Sequence, residues 1–445
     1  MKQFPFGVNL IGHLQSEKGI GFASRSILSL LETISIPYTL IEFKDPGSAN
    51  KEPIVSFDHN NRFFINLFCM NADESFSFIK KKGDDFLKDH YNIGFWNWEL
   101  EVFPENWRWI ARFFHEIWVP STYTQQSLMK SLDIPIRCIP YPIDVPKQLP
   151  KGVSRSTFAL PRDAKIYLFS FDFSSYLARK NPQAVVDAYL EAFGDQEDVL
   201  LLLKTTHRDL HPQEYERLLN ACRGRKNIRV WDEILRHSDM YALMKLCDVF
   251  VSLHRSEGFG FHLAEAMAMG KPVIATAYSA NMDYMNGLNS FLVNYKLVEL
   301  EQNYGPYQKG LHWADPDIDH AAQLMRLVYE QSQLAKERGE QAEIDIQGLA
   351  KQTIGALLKT TFDEILKQEL PQTKKLFLRA NISHFSLLST RKYVGGLIML
   401  ARKVLQKLLR PSLDKQTEFN FLILDRLESI SHRLNELENT SRRNK

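Results

Sequence analysis

Short apolar runs and longer amphipathic stretches alternate along the first third of the chain. The apolar runs typical of buried strands are FGVNLIG, YTLIEF, FFINLFCM, NIGFW, EIWVPS and IRCIPYPID. Helical periodicity separates several of them, as in ASRSILSLLETI, NWRWIARFFH and YTQQSLMKSL. Because alternating strands and helices favour a parallel sheet covered by helices, residues 1–148 are predicted to form a Rossmann-like domain.

A second alternating series follows the segment VPKQLPKGVSRSTFALPRDA, whose proline, glycine and serine content is typical of a linker. Its predicted strands are KIYLFSFDF, DVLLLLKT, NIRVW, DVFVSLH and KPVIAT. Its predicted helices are NPQAVVDAYLEAF, HPQEYERLLNAC and SDMYALMKLC. Residues 149–370 are predicted to form a second Rossmann-like domain, whose last helices cross back onto the first. The predicted fold class is α/β, with two Rossmann-like domains facing across a cleft and an α-helical C-terminal extension.

Composition agrees with two filled cores, since 44% of the 445 residues are hydrophobic. The four cysteines are scattered without CxxC spacing, which favours reduced core residues and a cytoplasmic protein. We expect no signal peptide, because MKQFPFGVNLIGHL lacks a continuous apolar core. The sequence contains no apolar run of eighteen residues, so we expect no membrane-spanning helix.

The tail, residues 371–445, differs from the body in charge. It holds fifteen Lys and Arg against six Asp and Glu, whereas the rest of the chain holds forty against forty-seven. Residues 376–413 contain no acidic residue and include a basic amphipathic segment. Such a segment favours either peripheral binding to an anionic membrane, here the inner face, or docking on the acidic body. Apolar residues at heptad spacing within 423–437 indicate self-association through a short coiled coil.

The stretch SEGFGFHLAEAMAMGKPVIAT, residues 256–276, carries the clearest chemical pattern. A glycine-bearing turn with Glu257 leads into a helical run that holds Glu265 and stops at Gly270. The first N–H groups of a helix are unpaired and lie at its positive end, so the start of this run is suited to bind a pyrophosphate. Carboxylates suit sugar hydroxyls better than phosphate. The two glutamates, eight residues apart, are therefore placed to hold hydroxyls at the two ends of a nucleotide sugar.

This block resembles the E-x7-E signature of the retaining group 1 (family 4) glycosyltransferases of the bacterial surface-polysaccharide type. The resemblance extends from about residue 7 to 355 and is strongest over 248–293. It implies the two-domain GT-B fold, places Glu257 beside the transferred sugar, and assigns Glu265 to the nucleotide ribose. The other residues that it assigns to donor binding are Gly258, Phe259, Gly260, Phe261, His262 and Leu263. The structural alternative is a dipole-complementing Glu257 and a solvent-exposed Glu265.

We also expect lysine or arginine side chains near the diphosphate. Lys180 lies in the turn ARKNP after the first strand of the second domain, where positive charge stabilises a leaving diphosphate. The resemblance implies this role for Lys180. It also implies an arginine a few residues earlier, but residues 172–176 contain none. Arg179 and Lys204 are the two candidates for the second cation, with a surface or structural role as the alternative.

The first domain offers two further groups of candidates. Gly19 and Gly21 lie between the first strand and first helix, where such folds bring backbone near a phosphate, although a turn pair is the simpler interpretation. Asn97, Trp98 and Glu99 follow a strand and form a candidate acceptor wall, with the Trp98 ring as a flat face for a sugar. Core packing is the alternative for Trp98.

We expect no metal site, since HExxH is absent and the H-x3-H of His207 and His211 is followed by a proline. Asp315 is predicted to cap a helix that starts with Pro316. No metal or other cofactor is expected, and no nucleic-acid partner.

The predicted function is transfer of a sugar from a nucleotide-sugar donor to a glycan or lipid-linked acceptor, in cell-surface polysaccharide synthesis. The resemblance implies retention of configuration and catalysis without a metal. Two alternatives remain open at this point. One is a nucleotide-sugar epimerase on the same fold, and the other is a non-catalytic membrane-associated scaffold.

Overall fold

The computed structural model describes residues 4–54 and 56–367. The predicted tail, residues 371–445, lies outside the described residues, and so do its membrane segment 376–413 and its self-association segment 423–437. Among the residues described, no helix is both long enough and apolar enough to cross a bilayer.

A six-stranded parallel sheet forms the centre of the first domain. In chain order its strands are β1 Val8–Gly12, β2 Tyr38–Glu42, β3 Ile65–Cys69, β4 Tyr91–Phe95, β5 Glu116–Val119 and β6 Ile136–Cys138. Their order across the sheet is β2-β1-β3-β4-β5-β6. The helices are α1 Gly19–Thr33, α2 Ala72–Lys82, α3 Glu105–Arg108 and α4 Thr122–Met129.

The second domain contains another six-stranded parallel sheet. Its strands are β7 Lys165–Asp172, β8 Val199–Thr206, β9 Ile228–Asp232, β10 Val249–Ser252, β11 Val273–Thr276 and β12 Phe291–Val293. They are arranged as β12-β11-β10-β7-β8-β9, the doubly wound order in which the chain reverses direction between β7 and β10. Ligands of open α/β sheets bind beyond the carboxyl ends of the strands at such a reversal.

The remaining elements surround this second sheet. The helices are α5 Leu177–Lys180, α6 Pro182–Phe193, α7 Pro212–Ala221, α8 His237–Leu246, α9 Phe261–Ala268, α10 Ile318–Glu330, α11 Ser332–Asp345 and α12 Lys351–Lys367. An antiparallel hairpin, β13 Tyr295–Glu299 with β14 His312–Pro316, precedes α10. The sequence pattern did not predict this hairpin. Both sheets and their order establish the α/β fold with two Rossmann-like units that the sequence predicts.

Helix α12 returns the chain to the first domain. The ring of Phe362 lies 5.7 Å from Trp118, and Arg137 forms an ion pair of 2.6 Å with Glu364. One cluster of buried apolar side chains runs from the first sheet through this contact to the second sheet. The two domains are therefore packed against each other through a shared apolar cluster.

Two local predictions differ from the structure. Gly19 and Gly21 lie inside the first turn of α1 rather than in a loop before it. Asp315 does not cap a helix: it pairs with Lys296 in the hairpin and binds Arg255, while Asp317 caps α10 by accepting a hydrogen bond from the His320 N–H. The strand pairing extends through Pro316, so the helix starts two residues later than the Asp-Pro signal indicates.

Candidate active site

A cavity of about 790 Å³ lies between the facing carboxyl ends of the two sheets. The second domain lines it with the loops after β7 and β10, the pair at the chain reversal. The first domain lines it with the start of α1, the start of α2 and the loop after β4. The topology thus brings the predicted donor residues of the second domain opposite the predicted acceptor residues of the first.

The turn before α9 has the backbone shape that an anion site needs. Gly260 adopts φ +85° and ψ 56°, and a Cβ atom here would lie 2.8 Å from the Tyr284 hydroxyl oxygen. The position therefore requires glycine on both conformational and steric grounds. No side chain of the described residues caps α9, and Phe261 and His262 at its start border the cavity. Helix α9 is eight residues long and starts at Phe261.

The same turn is fixed from both domains. Tyr284 donates hydrogen bonds to the carbonyls of Phe259 (2.7 Å) and Gly260 (3.0 Å). Ser121, which caps α4 as its sequence position predicts, donates to the Gly258 carbonyl at 2.9 Å. Contacts from Tyr284 and from the first domain therefore hold the turn in place.

Glu257, Lys180 and Arg179 form a buried charge cluster in the cavity. The Lys180 ammonium lies 2.5 Å from one carboxylate oxygen of Glu257, and Arg179 lies 3.2 Å from the other. Although burial favours the neutral acid, the two cations hold the pKa of Glu257 well below its usual range. Burial lowers the pKa of the Lys180 ammonium, an effect that Glu257 opposes. The carboxylate is thus ionised and has a fixed orientation.

Arg179 is held as a support for this carboxylate. It is 5% exposed and donates a hydrogen bond of 2.8 Å to the Ser256 carbonyl. Lys204, the other candidate for the second cation, also lines the cavity but directs its ammonium at the carbonyls of Thr205 and Glu233. Burial lowers the pKa of Lys204 to about 8. Both predicted residues reach the cavity, and each is already bound to backbone carbonyl oxygens.

Glu265 lies deeper, on the buried side of α9. It is 2% exposed and accepts a hydrogen bond of 3.1 Å from the Tyr241 hydroxyl. Two imidazole nitrogens are near it, from His237 at 3.7 Å and His262 at 4.0 Å. Burial raises the pKa of Glu265 to about 8, and burial lowers the pKa of each histidine to about 4. A protonated carboxyl beside neutral imidazoles both donates and accepts, which suits a pair of ribose hydroxyls. This burial does not agree with the alternative of an exposed helix residue.

The aromatic and aliphatic members of the predicted donor set act through packing. The Phe261 ring stacks on Tyr141 of the first domain at 4.8 Å and meets Phe22 edge to face at 4.7 Å. Phe259 is 5% exposed and Leu263 is 2% exposed. These three residues border the cavity, and their side chains pack in the apolar cluster shared by the two domains.

In the first domain, the start of α1 reaches the cavity through Gly19. Gly21 is buried, and a Cβ atom there would lie 2.1 Å from the Ser16 carbonyl oxygen. Gly21 therefore permits the close packing of the loop that precedes α1, while Gly19 has open space around it among the described residues.

All three predicted residues of the loop after β4 border the cavity. Asn97 accepts a hydrogen bond from Tyr141 at 3.1 Å, and Glu99 accepts one from Tyr307 at 2.9 Å. Trp98 is 1% exposed and packs its ring on Trp107 and Tyr307, with its N–H donated to the Val102 carbonyl. The ring of Trp98 is thus packed among aromatic neighbours, as its core alternative predicts, although Trp98 is also among the residues that border the cavity.

Sequence reasoning missed a three-residue contact across the cleft. His207 binds Asp172 at 2.9 Å within the second domain and Glu17 at 3.1 Å from the first. All three line the cavity. His207 has φ +65°, a conformation that the H-x3-H spacing does not reveal. The only signal in the sequence was that Asp172 lies at the end of a predicted strand. Within residues 4–54 and 56–367, no group of three or more His, Cys, Asp or Glu side chains is placed to hold a metal ion.

Comparisons with known proteins bear on this site. The family model of Glycosyl transferases group 1 matches residues 172–301, the segment that holds Lys180, Glu257 and Glu265. No curated protein matches the sequence of this chain.

Solved structures with low identity share the fold. A glycosyltransferase from Rickettsia africae ESF-5 aligns with a TM-score of 0.60 and 14% identity, covering 83% of this chain and 100% of that one. Sucrose-phosphate synthase from Thermosynechococcus elongatus aligns with a TM-score of 0.61 and 14% identity, covering 81% of this chain and 99% of that one. Anabaena HepE, solved with UDP and glucose, aligns with a TM-score of 0.57 and 14% identity, covering 81% of this chain and 100% of that one. Residues 172–301 are therefore similar in sequence to the group 1 glycosyltransferases, and the described residues have the GT-B fold.

Proposed function

We propose that the protein is a retaining glycosyltransferase, acting without a metal, that moves a sugar from a nucleotide-sugar donor to a glycan or lipid-linked acceptor. The observation that carries the proposal is the buried pair of Lys180 and Glu257 beside the uncapped start of α9. A cation, an open helix end and an oriented carboxylate are the three groups that a sugar diphosphate requires.

The donor spans the cavity along α9 in this proposal. Its diphosphate lies at the helix start with Lys180 beside it, and its ribose hydroxyls meet Glu265. The transferred sugar lies against Glu257, whose charge and orientation are set by Lys180 and Arg179. Support comes from the match of residues 172–301 to the family model and from the fold shared with Anabaena HepE, which was solved with UDP-glucose.

The chemical step breaks the bond between the anomeric carbon and the diphosphate oxygen, and the electron pair leaves with the nucleoside diphosphate. An acceptor hydroxyl oxygen forms the new bond on the same face of the sugar, which retains the configuration. Its proton passes to the departing diphosphate. Lys180 and the N–H groups of α9 stabilise the negative charge as it develops on the diphosphate.

The acceptor enters from the first domain, past Asn97 and Glu99. Both side chains accept hydrogen bonds and border the cavity, which suits the hydroxyls of a glycan. We place the protein in the cytoplasm, in cell-surface polysaccharide synthesis. All four cysteines are free, which agrees with a reducing compartment.

A donor panel tests the proposal. The full chain is incubated with UDP-glucose, UDP-N-acetylglucosamine or GDP-mannose and with oligosaccharide or lipid-linked acceptors, and release of nucleoside diphosphate is measured. Proton NMR of the product gives the anomeric configuration. We expect acceptor-dependent release and retention. Conversion of the donor sugar without release would favour an epimerase, and failure to bind any nucleotide in isothermal titration would favour a scaffold.

Peripheral membrane attachment is a separate part of the proposal, resting on the basic composition of residues 376–413. The test is cosedimentation with phosphatidylglycerol vesicles, with and without residues 371–445. We expect only the full chain to pellet, and less of it at high salt. Equal pelleting of the two forms would contradict attachment through this segment.

A further inference from the structure

The hairpin β13–β14 belongs to the second domain in sequence but packs on the first. Leu300, Tyr307 and Trp313 are buried within the apolar cluster that covers one face of the first sheet. His312 also lies 3.2 Å from Glu101 of the first domain. The segment between the two strands is therefore seated on the loop that follows β4.

Tyr307 is the residue of this segment that meets the active-site loop directly. It is 3% exposed, and its hydroxyl donates a hydrogen bond of 2.9 Å to Oε2 of Glu99. Its ring lies 5.4 Å from Trp98 and 5.2 Å from Tyr176. Tyr307 and the two residues before it, Gly305 and Pro306, line the cavity.

Glu99 divides its two carboxylate oxygens between two groups of the second domain. Oε2 accepts from Tyr307, and Oε1 lies 4.0 Å from a guanidinium nitrogen of Arg179. The other terminal nitrogen of Arg179 lies 3.2 Å from Glu257. The guanidinium is therefore situated between two carboxylates, one from each domain.

This arrangement depends on Tyr307, because a glutamate on a loop has many accessible rotamers. A hydrogen bond from a buried hydroxyl to a carboxylate is directional and restricts which oxygen faces Arg179. With Glu99 fixed, a second carboxylate acts on Arg179, which also binds the Ser256 carbonyl and Glu257. Glu99 therefore contributes to the orientation of Arg179 and, through it, of Glu257. A series of side-chain contacts therefore connects Tyr307, through Glu99 and Arg179, to Glu257.

We propose that Tyr307 is a positioning residue for sugar transfer, which acts through Glu99 and Arg179 to hold the Glu257 carboxylate against the transferred sugar. The inference rests on the proposed function. It assigns the hairpin to the sugar end of the cavity rather than to the nucleotide end, which is formed by α9 and Glu265.

The experiment compares the full-length wild type with Tyr307→Phe, Glu99→Gln and the double variant. Tyr307→Phe keeps the ring between Trp98 and Tyr176 and removes only the hydroxyl. Tyr304→Phe is the matched control, since it removes a hydroxyl from the same segment, where the ring packs on Trp313. Steady-state release of nucleoside diphosphate from the active donor of the panel gives kcat and KM, and isothermal titration gives the Kd for UDP.

We expect Tyr307→Phe and Glu99→Gln each to lower kcat about tenfold, with the Kd for UDP changed by less than about twofold. The kcat of the double variant should also be about tenfold below that of the wild type, because both substitutions interrupt the same series of contacts. Tyr304→Phe should stay within about twofold of wild type.

The outcomes separate the two proposals. A wild type that turns over no donor of the panel contradicts the proposed function and this inference with it. An active wild type whose Tyr307→Phe variant keeps its kcat contradicts the inference alone. Losses in kcat that multiply in the double variant would also contradict the inference, because the two residues would then act independently. An equal loss in the affinity for UDP would contradict it as well, since a merely structural effect would weaken both ends of the cavity.

Discussion

The ammonium of Lys180 lies 2.5 Å from the carboxylate of Glu257, although the two residues are 77 positions apart in the chain. Lys180 ends α5, after β7, and Glu257 follows β10, so the pair exists because these strands are neighbours in the sheet. The chain reversal between them places a cation and an anion at the same point of the cleft.

Loss of the Lys180 charge is expected to slow transfer. Lys180→Ala should reduce kcat by about 100-fold or more, because the leaving diphosphate loses an electrostatic partner in a buried site. Glu257→Gln should reduce kcat/KM, since the sugar loses an oriented anion. The measurement is steady-state release of nucleoside diphosphate. Lys336→Ala, at an exposed ion pair on α11, is the control. Rates within about threefold of wild type for the two active-site variants would contradict their roles.

The buried carboxyl of Glu265 predicts a pH-dependent stability. Its pKa is about 8 in the folded protein, above its value in an unfolded chain, so the folded state binds the extra proton at intermediate pH. Stability therefore falls as pH rises from about 4.5 to about 8. Relative to Glu265→Gln, the wild type should lose about 2 kcal/mol of unfolding free energy between pH 6 and pH 8. Urea denaturation at the two pH values measures it. Parallel pH profiles would contradict the raised pKa.

The contact of His207 across the cleft predicts a pH dependence of the same sign. The hydrogen bond to Asp172, with a further contribution from Glu17, raises the pKa of His207 despite its burial. Its stabilisation is then fully present below about pH 6.5 and is lost as pH rises through the raised folded value. His207→Asn, which tolerates the left-handed backbone, should cost about 1 kcal/mol at pH 5.5 and less at pH 9. Denaturation of this variant and of the control His211→Asn tests it. An equal cost at both pH values would show that the charge is not involved.

The turn before α9 predicts a specific effect of a single methyl group. Gly260→Ala places Cβ at 2.8 Å from the Tyr284 hydroxyl in a left-handed backbone conformation. We expect a loss of about 1 kcal/mol or more in stability and about tenfold weaker binding of UDP. Gly287→Ala is the control, because open space surrounds that position among the described residues. Isothermal titration and thermal unfolding measure the two effects. Unchanged UDP affinity in a folded Gly260→Ala protein would remove this turn from the donor site.

Metal removal tests the assignment of charge neutralisation to protein groups. Incubation with EDTA, followed by assay with and without added Mg²⁺ or Mn²⁺, should leave turnover within about twofold, because Lys180 and α9 supply the positive charge. A loss of activity with EDTA that Mn²⁺ restores would contradict metal-independent transfer.

The sequence by itself determined the elements and the motif at the centre of the site. Short apolar runs encode buried parallel strands, and their alternation with helices encodes the two sheets. The turn and helix that hold Glu257 and Glu265 are local in the chain, so their spacing could be read directly. Lys180 and Arg179 were found in the same way, from a turn at the end of a strand.

Only the tertiary structure decided how these residues meet. It brought Arg179 to Glu257, directed the Lys204 ammonium at backbone carbonyls, and buried the Trp98 ring among aromatic neighbours. It also joined His207 to Glu17 across 190 positions and seated Tyr307 on Glu99 across 208. Local periodicity specifies which face of an element is buried. Pairings between distant side chains depend on sheet order, loop path and domain packing, which no local pattern contains.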